Sequence, residues 1–262
     1  MKLTLQYDGA GFHGWQVQPG FRTVQAEVEA ALSRILDRPT GVIAAGRTDA
    51  GVHASGQVVS AAVPERWESA VLRRAMNAVL PRDIWVAAAE RAAPDFHARF
   101  DACARAYAYH VGTAEASRSP FLRPWCWPLA QPLDEALLAE AAERFIGEHS
   151  FLAFARAGQP ERGDRCTVLR ARWSDWRDIG FIFRIAANRF LHHMVRYMVG
   201  TMVDVARRRR PLTDVAGLLA CERGLETSPP APAAGLLLTR VYYDARELER
   251  EDPFDEVIPG HG

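Results

Sequence analysis

Lysine is almost missing from this chain: Lys2 is the only one, and every other basic side chain is arginine. A G+C-rich genome that also favours alanine accounts for the bias, although planar guanidinium forks also suit phosphates and stacked bases. Cysteine is scarce too. Cys103, Cys126, Cys166 and Cys221 lie far apart with no C-x-x-C pair, so they read as reduced thiols of a cytoplasmic protein rather than disulfides or zinc ligands. No apolar run approaches the ~20 residues of a membrane-spanning helix. The opening "MKLTLQYDGAGF" lacks a basic segment followed by an apolar one, so no secretory leader is expected.

Cofactor motifs are absent as well. "GRTDAG" (46–51) has the G-x-x-x-x-G spacing of a phosphate loop, but Val52 and His53 stand where Lys and Ser or Thr are required. There is no G-x-G-x-x-G after a strand, no G-x-S-x-G and no H-E-x-x-H. His192 and His193 are adjacent, diverge by about a third of a helical turn and cannot chelate as an i, i+4 pair. No metal, nucleotide or flavin is implied.

What is present is an ordinary globular composition, 262 residues with 48% hydrophobic and 24% charged, enough for one large domain or two modest ones. The formal net charge of zero hides an uneven distribution. Thirteen arginines face five acidic residues between Arg156 and Arg210, whereas Asp244 to Glu256 carries seven acidic residues and two arginines. If the basic stretch faces a polyanion, the run Arg207 to Arg210 contributes to a salt-dependent affinity.

Hydrophobic periodicity gives the elements. "KLTLQY" alternates as a strand and "DGAG" closes it. Thr23 can cap a helix with Val24, Val28, Leu32, Ile35 and Leu36 on one face, ended by Pro39. "GVIAA" and "QVVSAAV" are strands, a helix spans about Ser69 to Leu80, and "DIWVAAAE" is a strand. "RAYAYHV" alternates, placing Arg105, Tyr107, Tyr109 and Val111 on one face. Residues 113–133 are proline-rich and aperiodic, a domain crossover. Asp134 caps a further helix to about Gly147, "TVLRARWSDW" and "GFIFRIAA" form a hairpin, and a long helix is expected from Asn188 to about Arg207. A short helix from Asp214 and the strand "GLLLTRVYY" follow. The element order of the first half recurs in the second, which suggests two similar α+β halves, residues 1–112 and 134–243, followed by an acidic tail, 244–262. A cleft between such halves is a natural place for a site.

One loop stands out. In "GRTDAGVHA" (46–54) Asp49 sits between two glycines with Arg47 and Thr48 beside it. An aspartate in a turn ordinarily hydrogen-bonds its own backbone, but this loop is longer than a hairpin needs. Farther on, Arg189, His192 or His193, and Arg196 recur at helical spacing beside an apolar stripe of Leu191, Met194, Val195, Met198 and Met202. A solvated basic face is the usual meaning of such a stripe, yet Arg196 lies near the apolar boundary, where an arginine favours a carboxylate partner.

From end to end the chain resembles the tRNA pseudouridine synthase A family. The resemblance is carried by "YDG" (7–9), "FHGWQ" (12–16), "TVQ" (23–25), "GRTDAGVHA" with "GQV" (56–58), "FHARFDACARAYAY" (96–109), "RFLHHMVRYMVG" (189–200) and "APAAGLLL" (231–238), in the family's order. Leu237 stands where many members have tyrosine, and the extension after Tyr243 is outside the shared pattern. The resemblance implies two pseudo-symmetric α+β halves sharing a continuous, mainly antiparallel sheet with helices on one face, and an active-site cleft between them. It implies Asp49 as the essential carboxylate, Tyr107 against the target uracil, Arg196 paired with Asp49, Arg47 in the gap the flipped base leaves, and Leu236 lining the base pocket. It also implies a homodimer without cofactor, acting on neighbouring uridines in the anticodon stem-loop of tRNA. Three alternatives stand beside it: a pseudouridine synthase on another RNA, a non-catalytic RNA-binding or folding module, and a nucleoside hydrolase. The last would be expected to need a second, paired carboxylate that does not appear.

Overall fold

The computed structural model describes residues 1–156 and 163–250. It divides into two compact units, Met1–Cys103 with the segment from Leu237 onward, and Ala104–Leu236. The expected crossover, 113–133, lies inside the second unit.

The first unit contains β1 (Lys2–Tyr7), α1 (Val24–Leu36), β2 (Val42–Ala44), β3 (His53–Ala61), α2 (Ser69–Val79) and β4 (Ile84–Glu90). β1 is central, antiparallel to β3 on one side and β4 on the other, and β2 pairs with β3. The alternation of β1 is borne out: Leu3, Leu5 and Tyr7 are buried, while Lys2, Thr4 and Gln6 are partly exposed. Along α1 the buried residues are Val24, Val28, Ala31, Leu32 and Leu36, one helical stripe. The helix ends where Asp37 turns left-handed at φ 53°, two residues before Pro39. Thr23 occupies the cap position, but its hydroxyl makes no capping bond; the residue is fully buried instead. Leu72 and Met76 of α2 are fully buried, and Asn77 exchanges two hydrogen bonds with the Val86 backbone of β4. Each such buried side chain contributes roughly 1.5–3 kcal/mol of apolar transfer. Alternation turns Val58 away from Val59, and its face is covered by the 96–102 segment through Ala98, with Ala45 and Val241 completing the cluster.

The second unit contains β5 (Ala104–Gly112), β6 (Trp127–Pro128), α3 (Glu135–Glu143), β7 (Gly147–Ser150), β8 (Arg165–Trp176), β9 (Gly180–Ala187), α4 (Met194–Ala206) and α5 (Thr213–Leu219). β5, β9, β8 and β7 pair in that order, all antiparallel, and β6 runs parallel to β5. Asp134 caps α3 as expected, its carboxylate accepting from the Leu137 amide at 3.2 Å. At the β8–β9 turn Gly180 is obligatory, because a Cβ there would fall 2.1 Å from the Val111 carbonyl oxygen. β10 (Leu236–Tyr242) returns the chain to the first unit, pairing parallel with β3 at Leu237↔His53 and Leu238↔Ala54, and α6 (Ala245–Arg250) follows. Most of the acidic tail lies outside the described residues.

Both units therefore use the same mixed α+β plan with mainly antiparallel pairing. β1-α1-β2-β3 and β5-α3-β8-β9 correspond: in each, the last strand lies between the other two and is antiparallel to both.

The long helix differs from expectation. It begins at Met194, not Asn188. Asn188 is a bend just past the end of β9, tied to Thr167 through its amide (3.1 Å) and side-chain oxygen (3.0 Å). The chain then turns at His193, left-handed at φ 64°, with the Met194 amide bonded to the Leu191 carbonyl. Arg189, His192 and His193 consequently share no helical stripe with Arg196.

Candidate active site

Between β2 and β3 the chain uses eight residues, 45–52, where β8 and β9 are joined by three, 177–179. The longer loop carries Arg47 and Asp49, and its backbone is fastened on both sides of the aspartate. Thr48 is buried, with its hydroxyl 2.8 Å from the Tyr7 hydroxyl, and its carbonyl accepts from the Trp15 amide at 3.0 Å. The Gln57 side chain donates to the Gly46 carbonyl at 2.9 Å. On the far side the Gly51 amide donates to the Phe12 carbonyl at 3.2 Å, and the Val52 amide closes a turn on the Asp49 carbonyl at 3.1 Å. Arg47 is exposed and Asp49 half-buried. A long loop held this way presents one carboxylate with little conformational freedom left to lose.

The fastenings reach farther into the unit. Gly14 adopts φ +88°, and a Cβ on it would lie 2.8 Å from the Thr48 carbonyl oxygen and 3.2 Å from the Asp49 carbonyl carbon. The Gly14 and Trp15 carbonyls in turn accept the Val24 and Gln25 amides at the start of α1. One chain of contacts thus runs from the helix N-terminus through 14–15 to the loop. Burial pushes the Tyr7 phenol up to about 12, against the opposing hydrogen bonds from Thr48 and Gln57, so it remains a neutral hydrogen-bonding strut. At the loop's exit, Nδ1 of buried His53 lies 3.1 Å from the Asp8 carboxylate and 3.1 Å from the Gly9 amide. A proton on Nδ1 favours the first contact and a bare nitrogen the second. The His53 contact is the main cause holding the Asp8 carboxyl below its usual range, with burial opposing it.

Tyr7, Gly14, Trp15, Thr48 and Gln57 had no assigned role from sequence, though all lie within the motif words. The available signal was a pair of glycine–aromatic words preceding a glycine-flanked loop, which marks close backbone approach.

The second unit holds the other three candidates. Tyr107 and Tyr109 project from one face of β5, yet their environments differ. Tyr109 is fully buried, and its hydroxyl donates to the Pro232 carbonyl at 2.7 Å. Burial raises its phenol well above the ordinary tyrosine range, with the nearby Arg196 charge opposing the shift. Gly235 makes room for this ring; a Cβ there would be 2.7 Å from it. Tyr107 keeps 8% exposure and meets Phe190 edge-on, centroids 5.0 Å apart. Arg196, in the first turn of α4, donates through Nε to the Ala231 carbonyl at 2.7 Å, while the Ala231 amide donates back to the Arg196 carbonyl at 3.0 Å. The 231–235 segment therefore locks α4 to β5 and delivers buried Leu236 at the start of β10. Arg47 and Asp49 share one loop; Arg196 and Leu236 flank one short segment.

The basic run is a different case. Arg207 bonds Gln131, Arg208 donates to Asp134 at 2.9 Å, Arg209 lies 4.0 Å from Asp204, and Arg210 donates to Asp214, Ser228 and the Glu226 carbonyl. These side chains meet neighbouring acceptors at the C-terminal corner of α4, with Arg208 and Arg209 still largely exposed.

A family model described as tRNA pseudouridine synthase matches residues 4–101 and 141–244. The tRNA pseudouridine synthase A of Moorella thermoacetica is 45% identical over 253 residues, covering 93% of this chain and 99% of the relative. The protein of the same name from Limosilactobacillus fermentum is 38% identical, covering 96% and 98%. That from Solidesulfovibrio magneticus is 40% identical, covering 94% and 91%.

Proposed function

Because the chain belongs to the tRNA pseudouridine synthase family, we propose that Asp49 is the essential carboxylate with which it isomerises uridine in tRNA. The reaction breaks the C1′–N1 bond, turns the base, and joins C5 to C1′; the C5 proton is lost and N1 gains one. It is redox-neutral. An ionised Asp49 serves either as nucleophile at C1′ or as the base that takes the C2′ proton to give a glycal, and both routes need the same fixed, charged oxygen.

Support for Asp49 comes from its backbone, fastened at the Thr48 carbonyl before it and the Gly51 amide after it. Arg196 pairs with Asp49 in this proposal and keeps the carboxylate charged in a dry site. Arg47, exposed on the same loop, fills the gap that the target base leaves. Tyr107, retaining an exposed margin, stacks on the uracil, and Leu236 lines its pocket. Extruding a base costs a few kcal/mol, part of which the tyrosine and arginine offset. We further propose neighbouring uridines of the anticodon stem-loop as targets, a cytoplasmic location and a homodimer. The four free cysteines suit a reducing compartment. The exposed Phe121 and Trp125 offer apolar surface of the kind a second copy would cover.

The test is Asp49→Asn and Asp49→Ala, followed by single-turnover pseudouridine formation and tRNA binding. Turnover should vanish while fold and affinity persist. Substantial turnover by Asp49→Asn would overturn the assignment.

A further inference from the structure

The segment that braces the Asp49 loop also carries two exposed rings. His13 lies between Phe12, whose carbonyl accepts the Gly51 amide, and Gly14, which packs directly on the Thr48–Asp49 peptide. Its imidazole pairs with the Phe21 ring, centroids 4.4 Å apart at an interplanar angle of 41°. Both are solvent-exposed, Phe21 to 52%. A phenylalanine held in water has lost much of the transfer energy that burial would give it.

The loop between these rings is built to hold them. The His13 amide donates to the Arg22 carbonyl at 2.9 Å and closes the base. The Gln18 side chain donates to the His13 carbonyl at 2.8 Å, and the Phe21 amide donates to the Gln18 carbonyl at 3.2 Å. Next to Phe21, the Arg22 guanidinium is clamped by two hydrogen bonds to Asp83 and one to Glu27, and covers the Phe12 ring at 4.1 Å. Arg22 is therefore paired within the protein, and beside it the His13 and Phe21 rings are exposed.

We propose that the His13–Phe21 pair is a stacking platform for an unpaired base of the substrate RNA that flanks the target uridine. This rests on the proposed role of Asp49 in placing the reacting nucleotide. A base extruded from a helix leaves neighbours unstacked, and an aromatic face recovers their stacking without regard to sequence. The pair sits on the brace of the Asp49 loop, so a base resting on it positions its neighbour relative to the carboxylate. The occupant is a nucleobase of tRNA, and its contact is the ring face rather than a hydrogen bond.

The test compares Phe21→Ala, Phe21→Leu and Phe21→Trp with the unmodified protein, using an unmodified tRNA transcript. Affinity is read by filter binding and pseudouridine formation across a range of tRNA concentrations. Stacking of one base corresponds to about a five- to hundredfold change in Kd. Phe21→Ala and Phe21→Leu should both show that loss, recovered as tRNA is raised, while Phe21→Trp restores affinity. His13→Ala should show a smaller loss in the same direction. Melting temperatures should stay near the parent's, since Phe21 is half-exposed. Equal affinity of all variants overturns the proposal, as does full rescue by leucine, which would assign Phe21 to ordinary apolar packing. Failure of the Asp49 assignment is distinguishable, because it appears as turnover in Asp49→Asn with the Phe21 affinities unaffected.

Discussion

Replacing Gly14 with alanine puts a methyl group where the Asp49 loop already is. Two costs arise, and they can be separated. The first is conformational: at φ +88° a side chain is strained by roughly 1–2 kcal/mol. The second is steric: the new Cβ would stand 2.8 Å from the Thr48 carbonyl oxygen, and ordinary contact begins near 3.4 Å, so the Thr48–Asp49 peptide must retreat by about 0.6 Å. Nothing flexible stands in between, because the contacting atoms are backbone. A misplacement of about 1 Å can cost roughly a hundredfold in rate, so a tenfold to hundredfold fall in single-turnover pseudouridine formation is expected with tRNA affinity nearly unchanged. Gly224→Ala is the control. Gly224 has φ +80° but open space around its missing Cβ, so that variant carries the strain without the displacement. Both variants should lose stability by chemical denaturation, Gly14→Ala by more because it adds the steric cost, and only Gly14→Ala should lose turnover. Normal turnover in a Gly14→Ala protein with the expected loss of stability would refute the bracing of Asp49 through residue 14.

Two further expectations concern tyrosines. Tyr109→Phe deletes the donor to the Pro232 carbonyl and should cost about 1–3 kcal/mol of stability; Tyr107→Ala should abolish turnover in a folded protein, and a well-folded, inactive Tyr109→Ala beside an active Tyr107→Ala would reverse the assignment. For Tyr7, whose folded-state value near 12 exceeds its ordinary value of 10.0, the stabilisation is fully present below pH 10 and is lost as pH rises toward 12; unfolding free energies between pH 9 and about 11.5 should therefore fall faster in the parent than in Tyr7→Phe, by on the order of 1 kcal/mol per pH unit above 10, and parallel curves would remove the strut from the account.

What the sequence made legible was whatever a local period encodes. β1, α1, α2, β4, β5 and the β8–β9 hairpin follow from alternation or a helical stripe, and Asp134 announces its helix by a cap that the structure contains. The start of α4 was not legible, because "RFLHH" continues an apolar rhythm that fits a helix. The bonds of Asn188 to Thr167, 21 residues away, and a left-handed His193 decide otherwise. Alternation also could not separate Tyr107 from Tyr109, which is fully buried with its hydroxyl on a carbonyl 123 residues away. Charge counting is blind to partners for a related reason. It registers Arg207 to Arg210 as an excess but cannot see Gln131, Asp134, Asp204 and Asp214 drawn against them. At the candidate site the aspartate was visible as an anomaly, a charged residue in an overlong loop. The struts that hold the loop were visible only as motif words without a physical reason.

The internal correspondence of the two units sharpens the meaning of that loop. β2–β3 and β8–β9 occupy equivalent places, each the hairpin whose second strand lies between two antiparallel neighbours. A hairpin needs no more than the three residues found at 177–179, and the fold tolerates that length. The five extra residues at 45–52 are therefore not required by the sheet. Nor is their support: Tyr7, Phe12, Gly14, Trp15 and Gln57 place polar groups, a positive φ and close backbone contacts on a loop that a shorter turn would make unnecessary. Buried hydroxyls and glycines held at positive φ persist where something other than the fold requires them. A single elaborated loop in an otherwise repeated plan is the asymmetry that the proposed role of Asp49 calls for, and the unelaborated hairpin shows what the same plan looks like without it.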